Sequence, residues 1–371
     1  MTQKPKILFL EIAAGGGHLS ITQAIIESLH HIAPQAQPIR LDFNHTMFGK
    51  GYELSVRNYP SVYNLLFKAT NYHHIKKIIS KTSQAFTSQY LQKAILHHKP
   101  QVIVSNTIFG INEIPHLVQK TNNPIPFLFF VPDPFTPHSI YYQPQADLTM
   151  VSSLTAYQRG LKNGLSPEKL VITGHPIRED FFKTPTNLTK LRTQLNLDPN
   201  LPTFVLGGSG GGIEKTQDIL KYLQDIQTPE CQIIVLCGNH SSLAQDIQSQ
   251  EFPSRMKIHT LGHINNVSDY LHAADFVAAK AGPNIMLESL ASGKPFIVTH
   301  HIHGQENGNV DFIRSTQCGF VEENPKHAAS LISNILHNPD ILQNTLPGVE
   351  FVRNQHRPAA QTIASYISRY L

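Results

Sequence analysis

An α/β protein made of two doubly wound halves is what the sequence predicts, and three observations predict it. The chain has 371 residues, more than one ordinary hydrophobic core organises, so two domains are expected. Apolar runs of strand length alternate with stretches whose apolar residues recur at helical spacing, the pattern of strands joined by helical crossovers. Twice a strand leads through a glycine-rich loop into a helix: Lys6 to Ile12 before Ala13-Ala14-Gly15-Gly16-Gly17-His18, and Thr203 to Leu206 before the run Gly207 to Gly212. In doubly wound sheets such loops stand at the carboxyl ends of strands, where ligands bind.

Composition narrows the class. An apolar fraction of 40% suits a soluble globular protein, and no apolar run approaches the roughly 20 residues that span a bilayer. The N-terminus enters a strand at once, so no signal peptide is expected. Cys231, Cys237 and Cys318 have neither disulfide nor metal spacing, which fits buried thiols in a reducing, cytoplasmic setting. The formal charge of +4 is small, but eight basic residues between Lys50 and Lys99 face a single acid, Glu53. Tyr52, Tyr59, Tyr63, Phe67 and Tyr72 are interleaved with them. Cations among aromatics suit an anionic membrane surface, each contributing about 1 kcal/mol there. A solvated helical face is the plainer reading. Nucleic acid is not expected, because no recognised binding motif accompanies the charge.

The elements follow in order. After the first strand, Ile21, Ala24, Ile25 and Leu29 mark one side of an amphipathic helix. Helical patterns run from Tyr52 to His98. Gln101 to Ser105, Pro126 to Val131 and Asp147 to Val151 are strands, and Ser152 to Leu161 is a helix. The second half holds strands over Thr203 to Leu206, Gln232 to Leu236, Lys257 to Leu261, Phe276 to Ala279 and Phe296 to Val298. Pro283 suits a first helical position and Gly293 a site just past the last, so a helix is bounded there. Gly304 to Asn309 reads as a glycine-rich loop. Ala360, Ile363, Ala364 and Ile367 give a terminal helix.

Candidate chemistry collects at strand ends. The helix beginning at Pro283 offers unpaired N–H groups and a partial positive charge beside Gly282, a seat for a phosphate. Asn284 and Glu288 share one face of that helix, and Glu288 can accept two hydrogen bonds from a vicinal diol such as ribose. Gln305, Glu306 and Asn309 offer amide and carboxylate groups to a polyhydroxylated ligand. Phosphate, ribose and sugar partners together describe a nucleotide sugar. Gly208, Ser209, Gly210 and Gly211 let backbone N–H groups close on an anion, and no P-loop lysine follows them. In the first half His18 falls at a helix start, where the field favours a neutral imidazole able to take a proton; a capping or packing histidine is the alternative. Prolines stiffen the loop from Pro132 to His138 and fix the directions of Asp133 and His138. Asp133 orients His18, takes the proton itself or serves the loop. His300, His301 and His303 lack a supporting carboxylate pattern, so no metal is expected.

The segments KAGPNIMLES, GKPFIV and GQENGN resemble the donor-site signature of the monogalactosyl- and glucosyl-diacylglycerol synthases, GT-B glycosyltransferases related to the peptidoglycan N-acetylglucosaminyltransferase. GGGH, PDPFTPH, GHPIR and GGSGGG resemble the other motifs in family order, so the resemblance covers nearly the whole chain. Asn284 departs from it, standing where a glycine is common. The resemblance implies two Rossmann-like domains facing across a cleft: an acceptor and membrane-facing domain over 1–174, a UDP-sugar domain over 175–350, and a terminal helix over 351–371 returning to the first. It implies an inverting transfer of glucose or galactose from a UDP-sugar to diacylglycerol, by a protein bound peripherally to the inner face of a membrane, with no cofactor. His18, beside Gly16 and Gly17, would be the base, with Asp133 and His138 facing the acceptor. Arg178 would reach the donor phosphates or form an interdomain salt bridge. His263 and Ile264 would clasp the uracil, and Ser209 would touch phosphate. A polyprenyl-linked acceptor and a UDP-GlcNAc epimerase of the same fold remain alternatives. The resemblance leaves glucose against galactose, processivity and oligomeric state open.

Overall fold

In the computed structural model the described residues are 4–12, 16–43, 87–118, 124–207 and 213–371. The basic, aromatic stretch from Lys50 to Lys81 and the loop residues Gly208, Ser209, Gly210 and Gly211 lie outside them.

Two compact units divide the chain. The first takes 1–178, 303–305 and 358–371, the second 179–302 and 306–357. Each holds a six-stranded sheet in which every pair is parallel. In the first unit β1 (Lys6–Glu11), β2 (Gln37–Asp42), β3 (Val102–Ser105), β4 (Phe127–Phe130), β5 (Leu148–Val151) and β6 (Leu170–Ile172) lie in the order β2-β1-β3-β4-β5-β6. In the second, β7 (Thr203–Gly207), β8 (Cys231–Gly238), β9 (Met256–Gly262), β10 (Phe276–Lys280), β11 (Phe296–His300) and β12 (Gly319–Val321) lie in the order β12-β11-β10-β7-β8-β9. In both sheets the order reverses next to the first strand, which makes the switch point at which doubly wound folds bind ligands.

The apolar runs are continuous because helices cover both faces of these strands. Leu8, Leu10, Ile103, Phe127 and Phe129 face one core of the first unit. Ile7, Phe9, Val102, Val104, Leu128 and Phe130 face the other. Ile363, Ala364 and Ile367 of the helix Ala359–Ser368 join that second core beside Ile21 and Ile25 of the helix Gly17–Ile32. The stretch 351–371 is therefore shared: the helix Leu346–His356 belongs to the second unit, the chain turns at Pro358, and only the last helix packs with the first.

Short or edge strands escaped the sequence reading. β2 is exposed or half-exposed throughout, so no apolar run announces it, and β6 and β12 have three residues each. One expectation is corrected: Gly304 to Asn309 is not wholly loop. The helix Asn307–Thr316 begins inside it, with Glu306 at its cap position.

Candidate active site

His18 lies in the first turn of the helix Gly17–Ile32, whose start has no side-chain cap. Gly16 precedes it at φ 76°, the left-handed conformation that a glycine adopts without strain, and a Cβ there would touch nothing within 4 Å. The imidazole Nδ1 is 2.8 Å from the main-chain oxygen of Asn106. A carbonyl only accepts, so Nδ1 carries the hydrogen and Nε2 keeps its lone pair in the neutral ring. Burial pushes the His18 pKa below its ordinary 6.5, against the opposing pull of the Asn106 bonds. A neutral imidazole that carries its hydrogen on Nδ1 is the form whose Nε2 can accept a proton. The group that holds Nδ1 is the Asn106 carbonyl.

Asp133 and His138 are both buried in the loop after β4. His138 Nδ1 accepts from the Ile140 N–H at 3.1 Å and caps the short turn Ser139–Tyr141, so this ring is held by its own loop. Ser153 donates its hydroxyl to the Pro134 carbonyl and accepts from Ala156 N–H, tying the loop to the helix Leu154–Lys162. His175 is fully buried, its Nδ1 3.2 Å from Ser152 Oγ and its ring edge-on to Phe130. Arg178, half-buried, ends the first unit.

In the second unit the helix Pro283–Ala291 starts directly after β10, with proline in its first turn and no side-chain cap. This is the helix start at which the sequence reading expects an anion seat. Gly282 has φ −68°, open to any residue, and a Cβ on it would meet Lys280 Nζ at 3.5 Å and Glu306 Oε1 at 3.9 Å. The finding there is Lys280. It closes β10 and forms an ion pair with Glu306 in which the side chains are 12% and 4% exposed. Glu306 Oε2 accepts from the Ile302 N–H at 2.7 Å, so each carboxylate oxygen has a partner within the unit. Asn309 is buried and donates Nδ2 to the Ala281 carbonyl at 2.7 Å. Glu306 and Asn309, expected among the sugar ligands, thus brace the two loops that flank the helix start. Gln305 is half-buried. Asn284 and Glu288 are half-buried on the same helix. His263 is exposed and Ile264 half-exposed just past β9. His301, part of the histidine string, pairs Nδ1 with Glu323 Oε1 at 2.5 Å.

Lys280 escaped the sequence reading because it stands at the end of an apolar strand. The visible signal was a lone cation after Phe276 to Ala279, with a carboxylate at Glu306 to receive it. Gly207 ends β7 at φ 83°, turning the chain toward the glycine run. No helix among the described residues is long and apolar enough to cross a membrane.

Comparison with known proteins agrees with this architecture. A model of monogalactosyldiacylglycerol synthase matches residues 23–177, and one of the glycosyltransferase family 28 C-terminal domain matches 203–340. The chain is 27% identical over 353 residues to a protein of Glycine max described as a probable chloroplastic monogalactosyldiacylglycerol synthase, covering 89% of this chain and 65% of that one. It thus spans under two thirds of that relative's length. Among solved structures, MurG of Acinetobacter baumannii superposes with a TM-score of 0.61 at 15% identity, covering 98% of this chain and 100% of that one. The UDP-GlcNAc 2-epimerase of Neisseria meningitidis bound to UDP-GlcNAc superposes with a TM-score of 0.65 at 10% identity, over the same shares. The fold is the two-domain α/β arrangement of GT-B proteins. One model thus lies on each unit and a relative is matched across most of the chain, so the protein is similar to the monogalactosyldiacylglycerol synthases and to the family 28 glycosyltransferases.

Proposed function

We propose that this protein transfers a hexose from a UDP-sugar to the free hydroxyl of diacylglycerol at a membrane surface, inverting the anomeric carbon. The observation that carries the reading is the His18 Nδ1 to Asn106 carbonyl bond, which leaves Nε2 unprotonated in the neutral ring. In the reaction Nε2 takes the acceptor hydroxyl proton as that oxygen bonds to the anomeric carbon. The bond from that carbon to the β-phosphate oxygen breaks, and its electron pair leaves with UDP. The charge growing on UDP is met by the N–H groups at the start of the helix Pro283–Ala291, by Arg178 and by the 208–211 loop, with no metal required. Glu288 takes the ribose, His263 and Ile264 the uracil, and Gln305 the sugar hydroxyls. Lys280 and Glu306 hold the helix start and the 302–306 loop in register.

The acceptor assignment draws support from the likeness to the plant protein described as a probable monogalactosyldiacylglycerol synthase, and the donor from the family 28 model on the second unit. The basic, aromatic stretch between Lys50 and Lys99 supplies the charge that would bring the protein to the inner, anionic face of a membrane.

The test is incubation with UDP-glucose or UDP-galactose, one at a time, and vesicles containing diacylglycerol, followed by lipid chromatography. A glycosylated diacylglycerol supports the reading, and addition of a chelator is expected to leave its rate unchanged. His18→Ala is expected to lower turnover by about 10²–10⁴-fold while UDP still binds. Full turnover in that variant sinks the base assignment. Conversion of UDP-GlcNAc without any acceptor would point to epimerase chemistry instead. Turnover only with a polyprenyl-linked lipid would move the acceptor while keeping the donor site.

A further inference from the structure

Asn106 spends its carbonyl and its amide nitrogen on the helix turn that carries His18. It directly follows β3, and its N–H donates to the Leu10 carbonyl of β1 at 3.3 Å. Its own carbonyl takes the His18 Nδ1 hydrogen at 2.8 Å. Its amide Nδ2 donates to the His18 carbonyl at 2.9 Å and to Thr22 Oγ1 at 3.1 Å. The amide cannot be turned around, since its oxygen would then face the His18 carbonyl, acceptor against acceptor. Asn106 is 4% exposed, and Oδ1 is buried without a hydrogen-bond partner. An apolar residue of similar size would carry no such orphaned oxygen, so the two N–H donors are what distinguish asparagine here.

The surroundings make Asn106 a fixed point. The Thr107 N–H bonds back to Ser105 Oγ at 3.2 Å, the Ser105 hydroxyl donates to the Thr107 carbonyl at 3.2 Å, and the Phe109 N–H bonds to Thr107 Oγ1 at 3.3 Å. Hydroxyl turns of this kind hold a loop in one conformation. A rigid segment thus clamps both the ring and the main chain of His18.

We propose that Asn106 is the positioning residue for the base of the transfer reaction, locking His18 into the tautomer protonated on Nδ1 and presenting Nε2 to the acceptor hydroxyl. This rests on the reading of His18 as base. The ring contact is made by the Asn106 main chain, and the side chain keeps that main chain against the helix turn. Without the amide clamp, the Nδ1 contact loosens and the ring samples the Nε2-protonated form, in which no lone pair faces the substrate. A wrong tautomer disables a catalytic histidine even where the geometry survives.

The experiment is a long-range ¹H–¹⁵N correlation of the full chain labelled with ¹⁵N-histidine at pH 8, with the His18 signals identified by their loss in His18→Gln. The expected wild-type pattern is a neutral ring protonated on Nδ1; a wild-type ring protonated on Nε2 overturns the proposal with no variant needed. In Asn106→Val the Nε2-protonated form is expected to appear. The kcat for glycosyl transfer should fall by about tenfold or more, with KM for the UDP-hexose within about twofold of wild type. Thr22→Val, which removes one of the two acceptors of the amide, is expected to show a smaller fall in kcat and keeps the test available if Asn106→Val does not fold. Unchanged tautomer and kcat in a folded Asn106→Val, or in Thr22→Val where that is the folded variant, overturn the positioning role. The base reading fails separately, through an active His18→Ala, and that result leaves the tautomer measurement intact.

Discussion

Lys280 and Glu306, 26 residues apart in sequence, form an ion pair inside the second unit, across the start of the helix Pro283–Ala291. Both side chains are nearly excluded from water, and Glu306 also accepts from the Ile302 N–H. A pair so buried is costly to break from one side, because the remaining charge is left without water or counterion. Lys280→Met is expected to lower the unfolding free energy of the second unit by about 3–5 kcal/mol, read by urea denaturation. The double variant Lys280→Met with Glu306→Leu should recover much of that loss while UDP binding stays weakened. Additive losses in the double variant would show that the two side chains do not act as a pair.

His356 gives the second unit a pH-dependent stability. It closes the helix Leu346–His356, and burial lowers its pKa from the ordinary 6.5 to about 4. Between those values the unfolded chain binds a proton that the folded chain refuses, so stability falls as pH falls. The contribution is complete above pH 6.5 and gone by about pH 4, worth about 3 kcal/mol in all. Urea unfolding at pH 7.5, 6 and 5 should show this slope, and His356→Phe should flatten it. An identical slope in the variant would assign the dependence to other groups.

Gly319 admits no side chain. A Cβ on it would stand 1.8 Å from the Phe296 carbonyl oxygen, where β12 pairs with β11. Backbone cannot retreat as a flexible side chain can, so Gly319→Ala should destabilise the second unit by several kcal/mol or prevent its folding. Gly16→Ala meets no atom and carries only the strain of its positive φ, about 1 kcal/mol. Thermal unfolding of the two variants side by side checks the ranking.

All three cysteines are buried and free. Burial pushes the Cys231 and Cys318 thiols up to about 11 and raises Cys237 as well, so almost no thiolate exists at neutral pH. A thiol reagent at pH 7.5 should label none of them in the native protein and all three after denaturation. Rapid labelling of one in the native state would reveal local opening of its strand.

Sequence alone determined the α/β class, the two strand–glycine–helix units and the main buried strands. Continuous apolar runs such as Phe127 to Phe130 and Phe276 to Ala279 are local signals, imposed by burial on both faces of a parallel sheet. It also placed His18 at a helix start, since a glycine run followed by an apolar period marks one in any context. Edge strand β2 was illegible because its side chains meet water, and the short β6 and β12 were too brief for a period to show.

Only the tertiary structure decided what each polar residue does. The carbonyl that sets the His18 tautomer comes from Asn106, 88 positions away, and the cation that neutralises Glu306 is Lys280. Asn309, read as a sugar ligand, donates its amide Nδ2 to the Ala281 carbonyl, a bond no local pattern announced. A hydrogen bond is specified by distance and direction between groups that only folding brings together, so residue type names the candidates and the packed chain chooses among them.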